Sequence, residues 1–137
     1  MKKLILIGVM LLFASFSFSQ SVKTILLDTL DNTNPRTSEV ITAGGSYNSL
    51  TIVAKCTQLG GTSDGSLVLK ASVDGTSYQT VTSYAGIAKF FSSDTHTITS
   101  GSIWNIVIQG NPWKYYKIVG TGTSGDTTLV TIHYVLK

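Results

Sequence analysis

Residues 67–78 read LVLKASVDGTSY, and the fold class follows from this stretch. Leu67, Leu69, Ala71 and Val73 alternate with Lys70 and Ser72. Side chains alternate across a β-strand, so the spacing predicts one buried and one wetter face. Asp74-Gly75 follows directly, and Tyr78 opens the next run. An Asp-Gly step between two such runs is a hairpin signal, because glycine takes the positive φ that a tight turn needs.

The same grammar repeats on both sides. Leu50, Ile52, Ala54 and Cys56 share one face of a strand. Val130, Ile132, Tyr134 and Leu136 share a face of another, with Thr131 and His133 opposite. Further strands are expected at 22–30, 39–42, 78–82, 87–91, 95–99, 103–109 and 115–120. The punctuation is polar: the loop 60–65, Asn111-Pro112, and Ser124-Gly125-Asp126 before the last strand. No window carries a helical apolar period with caps. About ten strands in one domain are too many for a single open sheet. The expectation is an all-β, single antiparallel β-sandwich of two packed sheets, jelly-roll-like.

The first residues have the layout of a secretory signal peptide, 1–19, ahead of a β-sandwich domain, 20–137. Lys2 and Lys3 precede the apolar run Leu4 to Phe13, and Ser17 and Ser19 stand at −3 and −1 of a cut before Gln20. That run is short for a membrane span, which takes about 20 residues. The expected location is secreted, periplasmic or at the cell surface, with no membrane association after cleavage. The cut takes 19 of the 137 residues and leaves 118, enough for one core. It also removes two of ten basic groups, leaving eight against seven acidic ones, a net charge near +1. The pI of about 9.0 therefore belongs partly to the signal. Lys55, Lys70, Lys89, Lys114 and Lys117 are spread along the chain, which speaks against nucleic-acid binding. A lone cysteine forms no internal disulfide, so Cys56 reads as a small apolar residue in a strand.

Catalytic chemistry is thinly supplied. Glycoside hydrolysis usually needs two spaced carboxyl groups. Glu39 is the one glutamate, and Asp64, Asp74 and Asp126 each sit beside glycine in a turn. His96 and His133 lie in no recognisable motif and are expected at the surface, His96 in an edge-like segment. One cysteine and two distant histidines do not make a zinc site. Gly120-Thr121-Gly122 leads into a turn rather than a helix, so no helix N-terminus is there to hold a phosphate. The residues imply no enzyme, no cofactor and no metal centre, with a calcium on loop carbonyls and Asp64 or Asp126 left open.

The aromatic residues remain. An exposed Trp or Tyr can stack on a sugar or anchor a protein contact. Trp104, inside the 103–109 strand, is expected in the core. Trp113 follows Asn111-Pro112 and could be core or surface. Tyr115 and Tyr116 are strand neighbours and must point to opposite faces, so at most one belongs to the core. The candidate ligand-binding residues are Trp113, Tyr115, Tyr116, Asn111 and Asp74.

Two segments carry a resemblance: Ser72-x-Asp74-Gly75-x-x-Tyr78, and Tyr115-x-Lys117-Ile118 ahead of the closing strand. Together they resemble the SxDGxxW hairpin and aromatic-x-[RK]-[IV] strand of discoidin-like (galactose-binding-like) jelly rolls. They also resemble small β-sandwich modules of phage virion and tail-fibre proteins. Tyr78 replaces the usual Trp, Lys117 the usual Arg, and the terminal Cys pair of many discoidin domains is missing. What the resemblance implies is a fold class and a tendency to bind or assemble. Two functions follow from all this. One is a non-catalytic exported or virion-associated structural module that works through a protein partner or self-assembly. The alternative is a carbohydrate-binding module, with a glycan stacked on Trp113 and Tyr115 or Tyr116.

Overall fold

A computed structural model describes residues 21–31, 33–43, 47–62, 64–81, 95–110, 113–123, 125 and 127–137. Residues 1–20, the 87–91 segment, Tyr84, Asn111 and Asp126 lie outside the described residues. Among the described residues there are ten strands: β1 (Lys23–Leu30), β2 (Arg36–Thr37), β3 (Ile41–Thr42), β4 (Ser49–Gly60), β5 (Gly65–Ser72), β6 (Gln79–Thr80), β7 (Thr95–Thr97), β8 (Ile103–Gln109), β9 (Tyr115–Gly122) and β10 (Thr127–Leu136).

They form two antiparallel sheets. One has the order β1-β10-β4-β8. In the other, β9 and β5 are central, β2 and β3 both pair with β9, and β6 and β7 both pair with β5. With each split edge taken as one position, eight positions run 1-8-3-6 in one sheet and 2-7-4-5 in the other. Position 1 pairs with 8, 2 with 7, 3 with 6 and 4 with 5. This is a long antiparallel hairpin rolled into two layers, the jelly roll that the sequence predicts.

Both inner faces are apolar. Ile52, Ile106 and Ile132 come from the first sheet, and Leu67, Leu69, Tyr116 and Ile118 from the second; all are fully buried. Trp104 and Cys56 are buried with them, as expected. The alternation in β4 is strict from Leu50 to Cys56 and then stops, with Thr57, Gln58 and Leu59 all exposed. β8 ends its pairing with β4 at Lys55 while β10 continues to Gly60, so this end of β4 is paired on one side only.

Val73 departs from its expected place. It is 68 % exposed, while Ser72, predicted on the wetter face, is buried. The chain leaves the strand at Ser72, whose hydroxyl donates to Asp74 Oδ1 at 2.7 Å and accepts from Gly75 N–H at 3.0 Å. A buried hydroxyl needs such partners, and by making them it ends the alternation one residue early. The hairpin itself is real: Lys70 pairs with Thr80 and Ala71 with Gln79. Its loop is longer than a two-residue turn.

On the opposite edge, Ser38 holds a break between β2 and β3. Its backbone N–H donates to Ile118 O at 2.9 Å, and its buried hydroxyl accepts from Ile118 N–H at 3.0 Å. The two layers meet closely at Gly120. A Cβ there would stand 2.7 Å from Leu27 Cδ2 and 3.0 Å from Leu30 Cδ1. Gly120→Ala is therefore expected to destabilise the domain by about 1–3 kcal/mol through overpacking. Urea unfolding of the two proteins checks this, and an unchanged midpoint would show that Leu27 and Leu30 move aside freely.

Candidate functional site

The aromatic candidates converge at the end of the sandwich where β5 leaves its sheet and β9 enters it. Ser72 and Tyr115 are the last pair of that ladder. Lys114 N–H extends it by donating to Ser72 O at 3.2 Å, and Ala43 N–H donates to Lys114 O at 2.8 Å. The Asp74 turn stands directly beside this entry. Asp74 Oδ1 accepts from the Ser72 hydroxyl at 2.7 Å and from the N–H groups of Thr76 and Ser77 at 2.8 Å each. The Ser72 hydroxyl, then the Ser77 and Thr76 amides, hold this exposed carboxyl well below the usual carboxylate range. Gly75 has φ 79°, and a Cβ on it would sit 3.2 Å from the Tyr115 ring. The glycine thus serves the turn and also lets Tyr115 lie against it.

Trp113 is half-buried. Its ring meets Tyr116 edge-on, with centroids 6.2 Å apart at 85°. On its open side it lines a shallow recess of about 260 Å³ with Ser72, Asp74, Ser77 and Gln79. Three candidates, Trp113, Tyr115 and Asp74, therefore share one rim. Asn111 lies outside the described residues. Tyr116 is corrected to a core position: it is completely buried, and burial pushes its hydroxyl up to about 12. The cause is the strand alternation itself, which turns Tyr116 inward because Tyr115 is outward. No ligand can stack on the Tyr116 ring.

A second aromatic contact was not apparent from the sequence. Lys117 Nζ lies 3.8 Å from the Tyr78 ring centroid, and Lys114 Nζ lies 5.2 Å from that of Tyr115. Tyr78 and Lys117 belong to the two motifs quoted above, 39 residues apart in the chain. Lys117 also stands directly opposite Lys70 across the β5–β9 ladder. Like charges in that position repel, and the cation–π contact offsets part of the cost. The motif spacing shows each half of this arrangement but not the register that joins them.

The other titratable groups are dispersed. His133 Nδ1 shares a hydrogen bond with Thr24 Oγ1 at 2.8 Å. His96 is half-buried rather than at the surface. Its ring stacks on Trp104 at 5.6 Å, its Nε2 is buried without a partner, and desolvation lowers its pKa. Burial pushes the Cys56 thiol up. Among the described residues, no three His, Cys, Asp or Glu side chains group as metal ligands. Residues 61–65, GTSDG, spell the G-x-S-x-G pattern of a nucleophile elbow. That device needs a strand-to-helix turn. Here strands lie on both sides, and Asp64 Oδ1 accepts from Gly65 N–H at 2.7 Å as an ordinary turn carboxylate. A wider, open groove of about 510 Å³ runs along Lys55–Gly61 near Ser100 and Gly101, away from the aromatic rim. The arrangement at the rim suits binding by stacking and hydrogen bonds.

No protein-family model and no curated protein matches the chain. Among solved structures, the chain is similar to the SPBc2 prophage-derived protein YomS, at 12% identity and a TM-score of 0.51, covering 85% of this chain and 94% of that one. It is also similar to a chain described under "Bacillus endospore appendages form a novel family of disulfide-linked pili", at 15% identity and a TM-score of 0.37, covering 87% and 92%. The first likeness shows the fold. The discoidin-like resemblance of the two motifs is not confirmed by these comparisons.

The Asp74 turn gives a pH prediction. Its folded pKa lies below the ordinary value near 4, so the stability it contributes is present above that value and is lost as pH falls toward the folded pKa. Wild type should therefore be more stable than Asp74→Ala at neutral pH, with the gap closing as pH drops below about 4. Urea midpoints at several pH values check this, and a gap that stays constant would remove the carboxylate from the turn's energetics.

Proposed function

We propose that this domain is a non-catalytic structural module that acts by assembly with protein, in an exported or virion-associated setting. The observation that carries the reading is the outer face of the β1-β10-β4-β8 sheet. Strand register places its side chains in rows: Leu26, Thr131, Lys55, Ile103; then Thr24, His133, Val53, Asn105; then Val135, Thr51, Val107. Lys55 is the only Lys, Arg, Asp or Glu in these rows, and Lys137, whose backbone pairs with that of Ser49, is the next one at the end of the sheet. Leu26 and Ile103, at the two ends of one row, are 60 % and 53 % exposed. A broad face with so little charge loses little on desolvation, which is what the centre of a protein interface requires. The fold shared with a prophage-derived protein is in keeping with a virion setting. The signal-like start of the chain supports export.

A second reading is favoured by the convergence of Trp113, Tyr115 and Asp74 at one rim: a glycan-binding module, with a sugar ring against Trp113. Two measurements separate the readings. Sedimentation velocity of the purified protein over a concentration series should show a reversible oligomer. A strict monomer at the highest concentration counts against assembly with itself. Intrinsic fluorescence with a panel of soluble glycans, for wild type and Trp113→Ala, tests the rim. A blue shift with one glycan that Trp113→Ala abolishes would make the carbohydrate reading the leading one.

A further inference from the structure

An eight-position jelly roll has four sheet edges, and each exposed edge offers unpaired N–H and C=O groups to another chain. Proteins blunt such edges with short strands, bulges, charges or proline. Three edges here are blunted. β1 begins at Lys23 and has a register shift between Leu26 and Asp28. β2 and β3 are two residues each, broken at Ser38. β6 and β7 are two and three residues long.

The fourth edge is β8, and it has none of these devices. It reads IWNIVIQ, with no charge, glycine or proline. It pairs with β4 in unbroken register from Ile103↔Lys55 to Gln109↔Ser49. Its outward groups can be assigned. Gly110 N–H donates to Asn48 O at 2.9 Å, and Cys56 N–H donates to Ser102 O at 3.0 Å. Backbone bonding alternates along an antiparallel pair. Trp104, Ile106 and Ile108 therefore direct their backbone groups at β4, while Ile103, Asn105, Val107 and Gln109 direct theirs away. Among the described residues nothing pairs with that outer side. Seven residues at about 3.4 Å each make roughly 24 Å of straight, open edge.

We propose that the outer edge of β8 pairs antiparallel with β8 of a second copy of this chain, joining two sandwiches through one continuous sheet. The occupant follows from the strand itself. Its outward groups lie symmetrically about Ile106, so a two-fold axis there sets Ile103 against Gln109 of the other copy and Asn105 against Val107. Because the strand has no charge, it meets its own copy without the like-charge repulsion that opposes most self-pairing. The charge-poor outer face continues across the joint. This inference rests on the assembly reading and gives it a surface.

Two variants test it. The Asn105 N–H points away from β4, so Asn105→Pro removes an outward donor and leaves the β4 ladder its bonds. Val107→Lys places a charge on the edge, where it opposes pairing. Wild type is expected to sediment as a dimer at high concentration. Asn105→Pro should weaken the dimer about tenfold or more, as for two lost backbone hydrogen bonds, and Val107→Lys should weaken it through the buried charge, each with an unchanged β-type circular dichroism spectrum. Hydrogen exchange at Asn105 and Val107 amides should slow as wild type dimerises. If Asn105→Pro fails to fold, Val107→Lys carries the comparison. A monomeric wild type overturns this pairing and self-assembly together. An oligomer that survives both variants, with the Asn105 and Val107 amides still exchanging fast, overturns the β8 edge and leaves assembly on another surface.

Discussion

The pairing of the last strand with the first is the contact on which the rest of the sandwich depends. β10 lies between β1 and β4, and Lys23 pairs with Tyr134 across nearly the whole chain. Until it docks, the first sheet is a β4–β8 pair and a separate strand. Val130 and Ile132, both fully buried, are then missing from the centre of that sheet. Leu27 and Leu30 likewise reach their packing against Gly120 only when β1 is held by β10. Such long-range closure makes folding slow and cooperative, because the chain entropy is lost before the contacts reward it. It also explains why a chain without disulfides can hold two sheets: each central strand, β10 and β4 in one sheet and β9 and β5 in the other, is gripped on both sides.

That architecture claims most of the residues from which chemistry could have been built. Cys56, Trp104 and Tyr116 fill the core. Asp64 and Asp74 satisfy turn amides. Ser38 and Ser72, buried hydroxyls, carry the chain through a break and out of a strand. A polar group committed in this way has its lone pairs and donors occupied, and its removal exposes unpaired backbone. What the fold leaves uncommitted is surface: an aromatic rim, a basic face and a charge-poor face.

The legible parts of the fold were those with local periodicity. Leu50 to Cys56, Leu67 to Ala71 and Val130 to Ile132 bury alternate residues as read, because both faces of a central strand are fixed by the same period. The edge strands were harder. Arg36–Thr37 has no periodicity to read, and its strand character comes from β9. Ser72 and Val73 exchange places because a turn hydrogen bond overrides the alternation. At the site, adjacency alone told that Tyr115 and Tyr116 diverge, but not which one faces inward. The Tyr78–Lys117 contact depends on a register between strands, which composition does not encode. Nor could β8 be recognised as an edge, since Trp104, Ile106 and Ile108 alternate just as a central strand does.

The two outer faces differ in a way that constrains any assembly. On the β9–β5 sheet, Lys70 and Lys117 stand opposite each other, with Lys114 over Tyr115 at the rim. Two such faces brought together would crowd like charges in a medium of falling dielectric, at a cost that grows with burial. The β1-β10-β4-β8 face has Lys55 and, at its end beside Ser49, Lys137, but no two lysines stand opposite each other there, so it carries a smaller penalty. The basic face is therefore the one that stays wet or meets an acidic surface, and the neutral face the one that can be dried against protein. A sandwich with one side of each kind has a built-in polarity: contacts along the neutral sheet leave the Lys70–Lys117 pair and the Trp113 rim turned outward, open to a different ligand.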